Sequence, residues 1–242
     1  YLSQMKVTTS MSTEISVEDL SFLQLSDSFF PTGLYTMSNG LEFIFHEKKL
    51  RSRDILELLK VYLKQQLGPA DCVALGNAYD CAKKLDLQGL IEVDRTLYSM
   101  RLVEEIRNAS VRSGIQLFRC AKFFVSQNKI LNLYQQSVTN GYSSGIYPIS
   151  FAVVCKSLNI PKHKAGLMLL YGFIVSVIGA ALRLGILQHF DGQKIIHELK
   201  PFILASVKEN IGKPLSGIWQ FAPATDIIQM KHEQMDSRMF IT

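Results

Sequence analysis

The sequence predicts an all-α fold: a single helical bundle of about nine to eleven helices arranged round a buried central apolar helix. Three observations carry this. Hydrophobic residues make up 48% of the 242 positions and charged residues 19%, enough to fill a large core. Apolar side chains recur at intervals of three and four along most of the chain, whereas strict alternation never exceeds about five residues. Seven prolines and fifteen glycines are fewer turn formers than a many-turned β-sandwich needs. No internal repeat, low-complexity tract or βαβ spacing is present.

Taken in order, residues 1–17 read as a flexible tail rich in Ser and Thr, and residues 18–242 as one helical domain. Ser52 is placed to cap a helix whose apolar face is Ile55, Leu58, Leu59, Tyr62 and Leu63. Asp54 and Glu57 sit in its early turns, where negative charge suits the helix dipole, and Gly68-Pro69 is expected to end it. Helices over residues 70–84 and 87–98 follow. From Met100 to Val125, a stripe of Val103, Ile106, Ser110, Ser113, Leu117, Cys120 and Phe124 lies on one helix face. Its small, hydroxylated centre suits a close helix crossing. Asn140-Gly141 and Ser143-Ser144-Gly145 mark a loop, and Tyr147-Pro148 opens the next helix.

Asn159 is placed to cap the long apolar helix, with Pro161 near its start. Asp191-Gly192 breaks into a helix carrying Ile195, Ile196, Leu199, Ile203 and Val207, which Pro201 should kink or divide. Gly212-Lys213-Pro214 is a loop, and residues 224–237 form a last helical candidate.

Ala165 to Leu182 is free of charge for 18 residues, which raises a membrane-associated reading. At 1.5 Å per residue the segment spans about 27 Å, just short of a bilayer core. It is the only such stretch, and Gly166, Gly172 and Gly179 suit close packing by neighbouring helices. A buried central helix, with no membrane partner, is the better expectation.

The formal charge of +5 permits acidic partners without requiring nucleic acid. The densest basic cluster, Lys48, Lys49, Arg51 and Arg53, is interrupted by Leu50 and closed by Asp54, so no nucleic-acid site is expected. Cys72, Cys81, Cys120 and Cys155 lack CxxC spacing and read as reduced thiols. With no apolar h-region at the N-terminus, the expected location is the cytoplasm.

Signatures of chemistry are missing. There is no GxxxxGK[ST] or GxGxxG phosphate loop, no HExxH and no GxSxG. His46, His163, His189, His197 and His232 never pair at i+3 or i+4, the spacing that sets two ligands on one helix face. The expectation is therefore no catalytic residue, no metal ligand, no cofactor, and a binding or scaffolding role. The alternative is a helical enzyme with a dispersed site, whose mark would be titratable groups converging in one deep pocket.

Three stretches then suggest a family. Leu23-Gln24-Leu25-Ser26-Asp27-Ser28, followed by Phe30-Pro31-Thr32-Gly33-Leu34-Tyr35-Thr36-Met37-Ser38-Asn39-Gly40-Leu41-Glu42, resembles the signature LQLSDSxFPxGxYxxSxGLE. Arg183-Leu184 with Gln188 and Asp191-Gly192-Gln193 resembles RLxPLxQxDGQ. Asp226-Ile227-Ile228-Gln229-Met230-Lys231-His232-Glu233, ending Ser237-Arg238-Met239-Phe240, is similar to DIxxMxHExxxSRLF. A weaker echo is Glu105-Ile106-Arg107-Asn108-Ala109-Ser110 with Gly114. These are motifs of the UreF family of urease accessory proteins, and they occur here in the family's order. The chain departs from the pattern at Leu34, where the family has a glycine, at Met37, where it has a histidine, and at Gly185-Ile186-Leu187, which lacks the proline.

The resemblance implies an all-α, usually dimeric, non-enzymatic protein. Its implied partners are UreH (also called UreD) and the GTPase UreG, with which it would deliver nickel to apo-urease. On the matched positions, the expected partner-binding residues are Tyr35, Ser38, Gly40, Glu42, His232, Glu233, Arg238 and Phe240. Pro31, Gly33, Arg183, Asp191 and Gln193 are expected to be structural. Tyr35 offers a flat ring with a polar tip, suited either to an interface or to a core. Glu42 is suited to capping, pairing with a base, or facing a partner. His232, beside Glu233, is open to contact with a partner or a passing metal. Arg238 can bond a partner or the body of the same chain. Asp191 is expected to cap a helix rather than to touch nickel.

Overall fold

Bonds from a cap residue's backbone amide to an acidic side chain three positions on decide where three of the helices begin. The computed structural model describes residues 16–48, 50–125 and 128–242. Asp19 accepts the Ser16 amide at 3.1 Å at the start of α1 (Val17–Ser26). Asp54 accepts the Arg51 amide at 2.9 Å before α3 (Ser52–Tyr62). Asp191 accepts the Gln188 amide at 3.3 Å before α10 (His189–Asn210). Each carboxylate satisfies an otherwise orphan donor and sits at the positive end of the dipole. Arg51 is thus the cap of α3, and Ser52 its first helical residue. Residues 1–15 of the expected tail, and Lys49 of the basic cluster, lie outside the described residues, while Val17 is already helical.

The remaining elements are α2 (Leu41–Glu47), α4 (Val73–Lys84), α5 (Leu87–Met100), α6 (Glu104–Ala121), α7 (Lys129–Thr139), α8 (Tyr147–Ser157), α9 (Lys162–Arg183) and α11 (Pro223–Glu233). Eleven α-helices and no strand occur among the described residues, as an all-α bundle requires. Gly68-Pro69 does not end a helix. The chain runs on from α3 into α4 through a π-helical segment, Leu63–Cys72. The wider turn absorbs the proline's missing donor, and an extended strap uses carbonyls of this segment: Trp219 N donates to Pro69 O at 3.2 Å and Phe221 N to Gln65 O at 3.1 Å. Asn159 does not cap α9. It takes the left-handed conformation, φ 56°, that ends α8, and Pro161 occupies the cap position of α9. Pro201 lies within α10 without dividing it, and α11 stops at Glu233, four residues before the expected end.

The core has two lobes. Leu75, Leu90, Leu97, Leu117, Tyr134 and Phe151 fill one, chiefly between α4, α5, α6, α7 and α8. Ile55, Leu59, Tyr62, Ile174 and Leu199 fill the other, between α3, α9 and α10. Helix α9 joins them, giving Ala165, Met168 and Leu169 to the first and Leu170, Ile174 and Val177 to the second. It is the one helix among the described residues long and apolar enough to cross a membrane. Its burial between two lobes accounts for that character without one.

The expected close crossing on the α6 stripe is present. The Ser110 hydroxyl accepts the Tyr147 amide at 3.2 Å, and a Cβ on Gly114 would lie 1.9 Å from the Gly145 carbonyl oxygen. Gly114→Ala must therefore push α6 off α8. The expected loss is about 1–3 kcal/mol, the range for overpacking a filled interface, read as a lower urea midpoint at unchanged slope.

Candidate partner-binding site

Residues from opposite ends of the chain meet at the start of α2. Gly40 makes this possible in two ways. Its φ of 85° is a left-handed conformation that glycine adopts freely, and a Cβ there would come within 2.8 Å of Ile228 Cγ2 on α11. With α11 so close, Glu42 in the first turn of α2 faces the segment that follows α11. Its carboxylate accepts the Met239 amide at 2.7 Å, the Phe240 amide at 3.1 Å and His232 Nε2 at 3.0 Å. The other ring nitrogen of His232, Nδ1, bonds Glu105 Oε2 of α6 at 2.8 Å, and Glu105 also pairs with the Arg238 guanidinium.

The segment is stitched further by backbone pairing. Ile241 N donates to Thr36 O at 2.9 Å and Ser38 N to Thr242 O at 2.8 Å. The Ser38 hydroxyl also donates to Thr242 O. Beneath it, Tyr62 donates to Asn39 O at 2.6 Å and receives Gln229 Nε2 at 3.1 Å. Arg183, at the end of α9, is sandwiched: its guanidinium carbon lies 3.7 Å from the Tyr35 ring centroid and 4.5 Å from that of Phe240.

Electrostatics follow from burial. Burial alone would raise the Glu42 pKa, but the Met239 amide, His232 and the Phe240 amide outweigh it and hold the group below the usual carboxylate range. Burial also opposes charge on His232, but hydrogen bonds and charge from Glu105 and Glu42 prevail and raise its pKa above the ordinary histidine value. Both ring nitrogens of His232 are thus taken up by carboxylates within the chain. Beside it, Glu105, Asn108, Arg112, Glu233, Arg238, Phe240 and Ile241 line an open cleft of about 420 Å³.

This convergence unites parts of all three sequence motifs and the weaker echo at Glu105. A family model described as UreF matches residues 51–200. The curated urease accessory protein UreF of Trichodesmium erythraeum is 33% identical over 224 residues, spanning 92% of this chain and 96% of its own. Proteins of the same name from Actinobacillus pleuropneumoniae serotype 5b and Bacillus sp. strain TB-90 are each 28% identical over 92% of this chain and 98% of their own. The chain belongs to the UreF family.

Family membership gives the site residues a context, and the fold sorts them. Ser38, Gly40, Glu42, His232 and Phe240 are buried, and in this conformation they bond or pack within the chain. Enclosed in this way, they present little or no outer surface in this conformation. Tyr35, Glu233 and Arg238 are exposed, Tyr35 at 61% even with one ring face on Arg183. Met239 and Ile241 extend that surface with apolar area.

Among the residues expected to be structural, Gly33 has φ 85° and starts the turn Leu34–Thr36 that carries Tyr35. Pro31 is exposed and accepts from the Cys120 thiol at 3.9 Å. Asp191 and Gln193 lie at the start of α10, where Asp191 serves the cap, and neither is among the contacts of the site. Arg183, by contrast, holds the Tyr35 turn against the terminal segment. Sequence reasoning did not single out Glu105, Tyr62 or Gln229 as site residues. Glu105 had one signal, its place in the weak fourth motif.

Proposed function

We propose that this chain serves urease maturation as a non-enzymatic scaffold, binding UreH (UreD) through its terminal segment and recruiting the GTPase UreG through the Tyr35 turn with Arg238. It would act in the cytoplasm as a homodimer, with apo-urease as the final partner and nickel as cargo. Family membership supports the urease role. The observation that carries the finer reading is the meeting of the Tyr35 turn and residues 238–242 on one exposed surface. Tyr35, Arg238, Met239 and Ile241 there combine an aromatic anchor, a guanidinium and apolar rim, the residue types that dominate binding energy at interfaces.

Deleting the residues after Asp236 and co-purifying with UreH and UreG tests this. The truncated chain is expected to lose both, and unchanged recovery would sink the idea. Tyr35→Ala separates the two partners. It should weaken UreG binding by roughly 30-fold, the ~2 kcal/mol of an aromatic anchor, while UreH is retained. Titrating UreG onto the preformed UreH complex reads that difference.

A further inference from the structure

We propose that His232 is a proton-operated latch, holding residues 238–240 against α2 and α6 while its imidazole is charged and releasing them when the proton leaves.

A neutral imidazole has one N–H donor and one lone pair. Here two carboxylates face it, Glu42 Oε2 at 3.0 Å from Nε2 and Glu105 Oε2 at 2.8 Å from Nδ1. Only the imidazolium can donate to both. Once neutral, the ring must turn a lone pair towards one carboxylate, in a site where its own side chain is 0% exposed and those of Glu42 and Glu105 are 3% and 8%. So little exposure, least of all on the Glu42 side, leaves the repulsion poorly screened.

The same two carboxylates hold the segment. Glu42 takes the Met239 and Phe240 amides, and Glu105 takes Arg238. Turning either carboxylate away from the ring therefore strips bonds from residues 238–240. The charged groups round His232 are few. Glu42 faces it from α2 and Glu105 from α6. Arg238 of the terminal segment reaches it only through Glu105. Arg112 of α6 and Glu233 of α11 line the adjoining cleft, and Lys231 lies over Phe43.

The direction of the pH effect follows. The docked His232 pKa is raised by Glu105 and Glu42 against the cost of burial. Its stabilisation is thus complete below the undocked value of about 6.5 and is lost as pH climbs through the raised docked value. Alkaline conditions open the latch. Glu42, held below the usual range, keeps its charge throughout that window.

Amide exchange on the full chain without partners provides the test, alongside NMR titration of the His232 ring between about pH 5.5 and about pH 9. Corrected for intrinsic rates, protection of the Met239 and Phe240 amides should be constant below about pH 6.5. Above it, protection should fall by up to tenfold per pH unit until the ring has titrated. The Leu75 amide in the first lobe should not change. His232→Gln should give low, pH-independent protection at the two amides. Glu105→Gln removes one carboxylate and should move the ring titration and the exchange transition to lower pH together.

Protection at Met239 and Phe240 that stays level while His232 titrates overturns the proposal. So does a Glu105→Gln titration that shifts without the exchange transition. Because no partner is present, these outcomes stand apart from the pull-down results above.

Discussion

Glu42→Ala is expected to free residues 238–242 from the body of the protein and to abolish co-purification with the partners proposed for the exposed surface. The substitution strips the acceptor from two backbone amides and from His232 at once. Each buried donor left without a partner costs about 1–3 kcal/mol. The ties that remain include the backbone bonds of Ile241 to Thr36 and Ser38 to Thr242, about 1 kcal/mol each, the Ser38 hydroxyl on Thr242 O and the half-exposed Arg238–Glu105 pair, and none of them supplies an acceptor for the two orphaned amides. The helices themselves should persist, because Leu41 and Ile44 still bury the inner face of α2. Far-ultraviolet circular dichroism should thus match the parent while the segment becomes susceptible to protease. Parental protease resistance at residues 236–242 would show that Glu42 does not hold the segment.

The largest loss of stability is expected from Arg101→Met. The Arg101 guanidinium and the Asp71 carboxylate are 6% and 7% exposed and paired, and Arg101 also donates to Gln220 Oε1 at 2.9 Å. The pair ties the end of α5 to the π-helical segment and to the strap that uses that segment's carbonyls. Removing the cation leaves Asp71 buried and uncompensated, with an expected cost of about 3–5 kcal/mol by urea unfolding at neutral pH. The double variant Asp71→Leu with Arg101→Met should recover most of this, since the cost lies in the orphaned charge. Burial already pushes the Asp71 pKa up even with Arg101 present. In the single variant that raised value means the penalty is full above it and shrinks as acid protonates the carboxylate. An equal deficit in acid and at neutral pH would assign the effect to lost packing instead.

Local pattern determined a large part of this protein. The faces of α3, α6 and α10 were legible because helical periodicity places Ile55 and Leu59, or Ser113 and Leu117, on one side whatever they meet. The all-α class and the buried character of α9 followed from composition and length, and the family from contiguous motifs near the two ends. Where local signals misled, a tertiary partner had changed their meaning. Gly68-Pro69 reads as a stop, yet the π-helical segment passes through it with the strap bonded to its free carbonyls and Gly68 pressed against Ser206. Asn159 reads as a cap for α9 but ends α8.

The site was the least legible part. His232 looked isolated because its partners Glu105 and Glu42 lie 127 and 190 positions away. Burial at Ser38, Glu42 and Phe240 has the same origin: each is enclosed only when the terminal segment lies on α2. A motif names residue types in order along a chain. Whether a carboxylate faces solvent, a partner or an imidazole depends on which distant segments pack beside it, and here that was decided by the approach of α11 to Gly40 at the start of α2.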